Sequence, residues 1–358
     1  MAKTVVVGMS GGVDSSVAAL LLCEQGYNVI GVTMQIWQDE AEEVLESEGG
    51  CCGWSAVEDA RKVAAKLGIP YYVMNFKDVF REKVIDYFVE EYRAARTPNP
   101  CIACNRYVKW EALLRRSLDI GADMIATGHY ADILRTEDGR YAVCRSGAGE
   151  KDQTYALYNL TQEQLSRTVF PLAKLSKPEV RSLAKEAGLP VAEKHDSQEI
   201  CFVPDKDYAG FIERYTGESA VPGNYVNQNG EILGRHRGLI HYTVGQRRGL
   251  GLPMGRRVFV SELRPETNEV VIAEGNEVFS KELKAGKLTF MGTADISGQG
   301  ERFIGKIRYG HKGAPCTAYR TGSDELTVVF DEEVRAVTKG QALVLYKDNY
   351  IAAGGTIR

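Results

Sequence analysis

The spacing of apolar positions changes character twice along this chain of 358 residues. Up to about residue 130, short apolar runs alternate with stretches of helical length. Thr4, Val5, Val6, Val7 and Gly8 predict a buried strand, and residues 17–22 predict a helix behind it. Further strands are predicted over 28–34, 71–76 and 124–127. Ser55 and Glu58 have capping-box spacing and predict a helix through Leu67 that stops at Gly68. Strands alternating with helices predict a parallel sheet covered on both faces, with ligands at the carboxyl ends of its strands. Ser10, Met34 and Gly128 fall at those ends. From about residue 160 the pattern turns helical, most clearly over 177–184. From about Lys287 the period drops to two, as over 325–330 and 342–346, which predicts a small antiparallel barrel. The expected division is an α/β domain over 1–205, a central α+β domain over 206–282, and a β-barrel over 283–358.

Composition narrows the class. With 44% apolar and 26% charged residues the chain has the make-up of a globular protein, and its length is more than one core needs. No apolar run approaches the ~20 residues that span a bilayer. Met1, Ala2 and Lys3 lead straight into a predicted core strand, so a cytoplasmic protein with no membrane partner is expected. In a reducing compartment, eight cysteines are expected to be reactive or metal-binding rather than a disulfide framework. The net charge of −4 means that an RNA partner would need a local basic surface.

The most specific chemistry lies between the first strand and its helix, in Met9, Ser10, Gly11, Gly12, Val13, Asp14 and Ser15. Paired glycines let the backbone turn sharply with its N–H groups facing outward. Hydroxyls add donors, and the helix N-terminus adds a positive end. Such a loop cradles phosphate. It lacks the lysine and spacing of a Walker A loop. The SGGxDS pattern instead resembles the PP-loop ATP pyrophosphatases, which cleave ATP between the α- and β-phosphates and adenylate a substrate. The plainer reading is a Gly–Ser turn. Asp14 is read as an aid to magnesium and pyrophosphate, against a helix N-cap. His129 is read as an acid–base group against a core histidine, and Asp196 is a further candidate near the site.

Residues 97–105 (TPNPCIACN) read as a rigid, proline-flanked loop carrying Cys101 and Cys104, and Cys201 lies far along the chain. No second CxxC completes a zinc site, and the adjacent Cys51 and Cys52 are poorly spaced to help. Two plain buried cysteines are the simplest reading. Cys23, Cys144 and Cys316 are assigned to the core, and Trp37, Trp54 and Trp110 to packing. Beside an adenylating loop the thiols acquire a use. Adenylation makes a carbonyl oxygen a leaving group, a persulfide sulfur displaces AMP, and a second thiol helps release the sulfur. Three thiols can alternatively hold an iron–sulfur cluster with one open iron.

Residues 232–261 contain no acid but hold Arg235, Arg237, Arg247, Arg248, Arg256, Arg257, His236 and His241, a supply of phosphate contacts. Lys306, Arg308, His311 and Lys312 surround Tyr309, whose ring could stack on a base. Solvated loop charges are the plainer reading of both.

Together these motifs resemble the bacterial tRNA-specific 2-thiouridylases, essentially from end to end. The resemblance is carried by residues 7–16, by 97–100 with Cys104 and Asn105, and by 126–131, 151–155, 196–202 and 241–250. It implies a PP-loop fold with ATP on Gly8, Met9, Ser10, Gly11, Gly12, Val13, Asp14 and Ser15, and with Met34 and Gly128 bracketing adenine and ribose. Asn99, Pro100 and Cys101 would contact the flipped-out target base. Cys201 would carry the persulfide, and Cys104 would close a Cys104–Cys201 disulfide as sulfur leaves. The rival route places a [4Fe-4S] cluster on Cys101, Cys104 and Cys201; aspartate stands at the position of Cys101 in some members. His129, Lys151, Asp152, Gln153, Arg308, Tyr309 and Gln341 would lie against tRNA, with Arg247 and Arg248 added from the basic stretch. The implied reaction is ATP- and Mg²⁺-dependent thiolation of the wobble uridine by a monomer. Its sulfur would come from a cysteine desulfurase or a relay protein. The alternatives are a PP-loop ligase or amidotransferase acting on a small molecule, and a sulfur carrier that binds ATP without turning it over.

Overall fold

The structure, a computed structural model, describes residues 2–36, 54–146, 151–194 and 200–358. Trp37, Cys51, Cys52 and Asp196 lie outside the described residues. Two compact units emerge. The first comprises Met1–Ile85, Pro100–Pro204 and Asn349–Ala352, and the second Asp86–Asn99, Asp205–Asp348 and Ala353–Arg358.

The first unit is built on a five-stranded parallel sheet. In chain order it uses β1 (Thr4–Gly8), β2 (Asn28–Gln35), β3 (Tyr71–Asn75), β4 (Met124–Ala126) and a strand at Thr168–Val169. Their spatial order is β3-β2-β1-β4 and then Thr168–Val169, every pair parallel. Valines 5, 6 and 7 of β1 are fully buried, as a central strand covered on both faces requires. Helix α1 (Val13–Glu24) shares a core with Val5 and Val7 through Val17, Ala18 and Leu22, joined by Val63 of α2 (Trp54–Leu67) and by Val180 and Ala184 of the helix Lys177–Glu186. Truncating Leu22 to Ala would cost about 2–5 kcal/mol by transfer and cavity terms.

Several local expectations needed correction. Helix α2 begins at Trp54, which places Ser55 inside the first turn rather than at a cap. Trp54 is 70% exposed, so of the described tryptophans only Trp110, at 1%, packs in the core. Capping boxes form instead at Thr161 with Gln164 and at Ser176, whose side chain and backbone engage Glu179 at the start of Lys177–Glu186. Residues 97–105 are not one loop. A turn of α-helix starts at Pro100, a residue well suited to a first helical position, and continues from Cys104 to Leu113 as a π-helix. The hairpin of β5 (Asp132–Arg135) and β6 (Tyr141–Cys144) follows β4, and the short Thr168–Val169 strand, β7, completes the parallel sheet.

In the second unit, β8 (Gly223–Val226), β9 (Ile232–His236), β10 (Val258–Arg264) and β11 (Glu269–Glu274) form a small sheet in the order β10-β11-β8-β9. Tyr225, Tyr242, Leu250, Val260 and Ile272 fill its core. The barrel strands are β12 (Phe279–Phe290), β13 (Glu301–Lys306), β14 (Ala314–Gly322), β15 (Glu325–Arg335), β16 (Ala342–Lys347) and β17 (Tyr350–Ile357). They run β12-β15-β14-β13-β16-β17, and β12 pairs with β17 to close the ring. Closure uses an irregularity between Gly286 and Thr289, where Lys287 takes φ 50° and the Asp324 carboxylate accepts the N–H groups of Lys287 and Leu288. The alternating pattern starts at Phe279 rather than at Lys287, because charged outward residues dilute the apolar signal in the first half of β12.

Candidate functional site

The loop after β1 and the residues after β4 stand side by side, at the point where the strand order reverses, as expected for a ligand crevice in an open α/β sheet. Met9 hangs on β2 through its N–H to the Val32 carbonyl and its own carbonyl to the Thr33 hydroxyl, 2.8 Å each. Gly11 has φ +66°, and a Cβ there would lie 2.3 Å from the Ala56 carbonyl oxygen. Only glycine fits. Gly12 is the N-cap of α1 and has no side chain to fill the helix end, which leaves N–H groups for an anion. The Ser15 hydroxyl accepts from the Ser10 N–H at 3.1 Å and donates to the Gly12 carbonyl at 3.2 Å. From the other side Gly128 presses in: a Cβ on it would sit 2.7 Å from the Ser15 nitrogen. Gly8, Met9, Gly11, Gly12, Asp14, Ser15 and Gly128 thus form one wall. Val13 contributes backbone only, its side chain being core, and Met34 is half-buried at the end of β2.

Asp14 is not the N-cap; it lies in the first turn of α1. Its carboxylate accepts from the Tyr130 hydroxyl at 2.7 Å and pairs with the Lys177 ammonium at 2.7 and 2.8 Å. His129 is half-buried, its Nδ1 2.7 Å from the Thr127 hydroxyl and its ring against Trp110 and Phe170. Burial, and then the Lys109 ammonium, hold its pKa well below the usual histidine value. It is therefore neutral at pH 7, which suits a hydrogen-bonding role better than a cationic one. Gln153 ties its neighbour by accepting from the Tyr130 N–H at 3.0 Å, while Asp152 accepts from the backbone and hydroxyl of Thr154. Lys151 opens the same short segment.

All six described cysteines are free thiols. Burial pushes Cys144 up to about 11 and Cys316 up to about 12, so both stay protonated and inert. Cys23 is half-buried at the edge of the core rather than inside it. Cys101 is exposed, and Cys104 and Cys201 are half-buried. One element packs on both segments that carry the latter pair. The turn Lys77–Phe80 contacts the π-helix that begins at Cys104, and the Phe80 ring meets that of Phe202 at 5.7 Å. Among the described residues no group of three or more His, Cys, Asp and Glu side chains is placed to hold a metal ion. Three converging thiolates are what a cluster requires, so the iron–sulfur alternative on Cys101, Cys104 and Cys201 does not fit.

In the second unit the basic stretch is less uniform than its composition. His236 is buried, held by the Asn268 carbonyl and between Tyr225 and Tyr242. Arg256 pairs with Glu274 at 2.7 Å. Arg247 and Arg248 remain exposed and line a cleft of about 450 Å³ with Gly245, Gln246, Phe259 and Arg335. The Arg335 guanidinium lies 4.7 Å from the centre of the Phe259 ring. In the other patch Lys306 is buried, whereas Tyr309 is 48% exposed. Arg308 donates to the Arg335 carbonyl at 2.8 Å. The Gln341 amide donates to the Thr97 carbonyl at 2.9 Å and so steadies the backbone that leads into Asn99.

Residues 3–205 match the family model described as a tRNA methyl transferase HUP domain, 209–274 the tRNA methyl transferase PRC-barrel domain, and 280–357 the aminomethyltransferase beta-barrel domain. The tRNA-specific 2-thiouridylase MnmA of Lachnoclostridium phytofermentans is 61% identical over 99% of this chain and 99% of its own. The chain belongs to the tRNA-specific 2-thiouridylase family. The 2-thiouridylase of Carboxydothermus hydrogenoformans is 53% identical, covering 99% of this chain and 97% of its own. That of Clostridioides difficile is 51% identical, over 100% and 98%. Among solved structures, a 4-thiouridine synthetase–RNA complex with bound ATP is similar over 60% of this chain and 50% of that one, with 18% identity and a TM-score of 0.34.

For this family member, sequence reasoning missed Lys177 and Tyr130 as partners of Asp14. They lie 163 and 116 residues away from it. No local spacing points to them; only the packing of the helix Lys177–Glu186 on α1 brings the lysine in.

Proposed function

We propose that this chain is an ATP-dependent sulfurtransferase that converts the wobble uridine of tRNA to 2-thiouridine. The observation that carries the reading is a phosphate cradle pinned by glycines where no Cβ fits, in the same unit as two half-buried thiols whose segments both pack on the turn Lys77–Phe80. Full-length likeness to 2-thiouridylases weighs against a small-molecule ligase, and sulfur transfer gives the thiols a use that methyl transfer does not.

In this reading the uridine C2 oxygen attacks the α-phosphorus of ATP, the α–β bridging bond breaks, and pyrophosphate leaves. Backbone N–H groups at Gly11 and Gly12 and the helix end hold the negative charge that develops. The terminal sulfur of a Cys201 persulfide then attacks C2 and AMP departs. The Cys104 thiolate attacks the Cys201 sulfur, breaks the bond to the transferred sulfur, and leaves a Cys104–Cys201 disulfide for a thiol reductant to reopen. The persulfide comes from a desulfurase or relay protein. Asp14 is a single carboxylate at the loop, a donor set suited to Mg²⁺ shared with phosphates rather than to a protein cage. Mg²⁺ bound there would offset the charge of the leaving pyrophosphate. Asn99, Pro100 and Cys101 receive the target base. His129, Lys151, Asp152 and Gln153 in the first unit, and Arg247, Arg248, Arg308, Tyr309 and Gln341 in the second, contact the tRNA.

The test is nucleoside mass spectrometry of unmodified tRNA incubated with the protein, ATP and a persulfide donor. The expected result is 2-thiouridine at the wobble position with stoichiometric AMP. Modification without AMP release would sink the reading.

A further inference from the structure

Lys177 occupies a position that helix stability does not explain. It is the first residue of the helix Lys177–Glu186, after the Ser176 cap, and a cation at that end opposes the helix dipole. Its side chain is only 11% exposed, yet it is aimed at another element, with its ammonium on both oxygens of Asp14. The capping box fixes where the helix begins, and Val180 and Ala184 lock the helix into the core shared with α1. The ammonium is thus held rigidly beside the first turn that follows the phosphate loop. An Asp14 carboxylate there would repel a polyphosphate if it stood alone. The lysine offsets that charge and places a cation beside the loop.

We propose that Lys177 is a polyphosphate-binding residue: in the nucleotide-free protein it rests on Asp14, and it moves to the β- and γ-phosphates when ATP enters the loop. Tyr130, which donates to the same Asp14 oxygen at 2.7 Å, keeps the carboxylate in place when the lysine leaves. This rests on the reading of the loop as an ATP site. It makes Lys177 a contact for the leaving group, supplied by a segment remote in sequence.

The experiment is calorimetric binding of α,β-methylene-ATP and of AMP to the full chain, in magnesium-free buffer with EDTA, so that the magnesium role of Asp14 does not enter. It compares the wild type with Lys177→Met, Lys177→Arg, Asp14→Asn and the Lys177→Met/Asp14→Asn double variant. Lys177→Met should weaken the ATP analogue at least about tenfold, the scale of one charge-assisted hydrogen bond, while AMP changes less than about twofold. Lys177→Arg should retain most of the affinity, and the double variant should stay as weak as Lys177→Met. Recovery of the analogue in the double variant would overturn the proposal, since the lysine would then serve only to neutralise Asp14. Equal loss of AMP in Lys177→Met would overturn it too, by assigning the lysine to folding. A wild type that binds AMP and the analogue equally would instead defeat the phosphate-loop reading itself, and this inference with it.

Discussion

The loop after β1 is made of backbone, whereas the cleft at Arg247 and Arg248 is made of long side chains, and in the function proposed above the two hold anions in different ways. At the loop, Gly11 and Gly128 leave no room for even a methyl group, so the N–H groups are fixed before the ligand arrives. Such a site selects one phosphate geometry and loses little freedom on binding. At the cleft, exposed guanidiniums around Phe259 and Arg335 can follow a nucleic-acid backbone whatever its sequence, at the cost of sensitivity to salt. A small cosubstrate calls for the first kind of site and a large substrate for the second.

The comparison breaks most sharply at Gly128. Gly128→Ala should reduce ATP affinity by about 10- to 100-fold, from the 1–3 kcal/mol of overpacking against Asp14 and Ser15, with tRNA binding retained; equal loss of both ligands would mean that the loop is not a separate site. Reversing Arg247 and Arg248 to Glu should do the opposite. Affinity for tRNA should fall about tenfold near 0.1 M salt, and the slope against log salt should shrink by about 2 units, with ATP titrations unchanged. An unaltered salt slope would remove the cleft from the tRNA surface. Gln341→Ala frees the Thr97 carbonyl and should cost about 1 kcal/mol, read as a loss of up to about fivefold in thiolation rate with ATP binding intact.

The smallest effect is on stability against pH. His129, His236 and His311 all have pKa values lowered chiefly by burial. In each case the unfolded chain takes up a proton below about 6.5 that the folded chain refuses. Their contribution is therefore complete above pH 6.5 and is lost as the pH falls toward the folded values. Urea midpoints should drop between pH 6.5 and 5, and His129→Gln should lessen that drop. An unchanged slope in this variant would contradict the burial account of His129.

The phosphate loop was legible because an apolar strand, two glycines and the start of a helix lie within a dozen residues; the backing it receives from Thr33, Ala56 and Gly128 was not, because those residues reach it only through packing. The sheet and the closing barrel were legible from periods of the same local kind. Thr168–Val169 was missed because two residues show no period, and β5 and β6 because four-residue strands in a hairpin barely do. The arginine stretch 232–261 looked uniformly basic because its acid partner, Glu274, lies beyond it, and because nothing local marks His236 as core. Lys177 was hidden for the same reason: its partner is fixed by helix packing, not by spacing.

The central claim is that Cys104 and Cys201 pass one sulfur atom to a uridine activated on the loop. Its most direct test is a single turnover, with the protein loaded with one persulfide equivalent, ATP in excess, and unmodified tRNA. The account predicts one 2-thiouridine, one AMP and one pyrophosphate per persulfide, no thiolation by Cys201→Ser, and 2-thiouridine released by Cys104→Ser only when an external thiol is added. Full thiolation by the Cys104→Ser/Cys201→Ser double variant would contradict it.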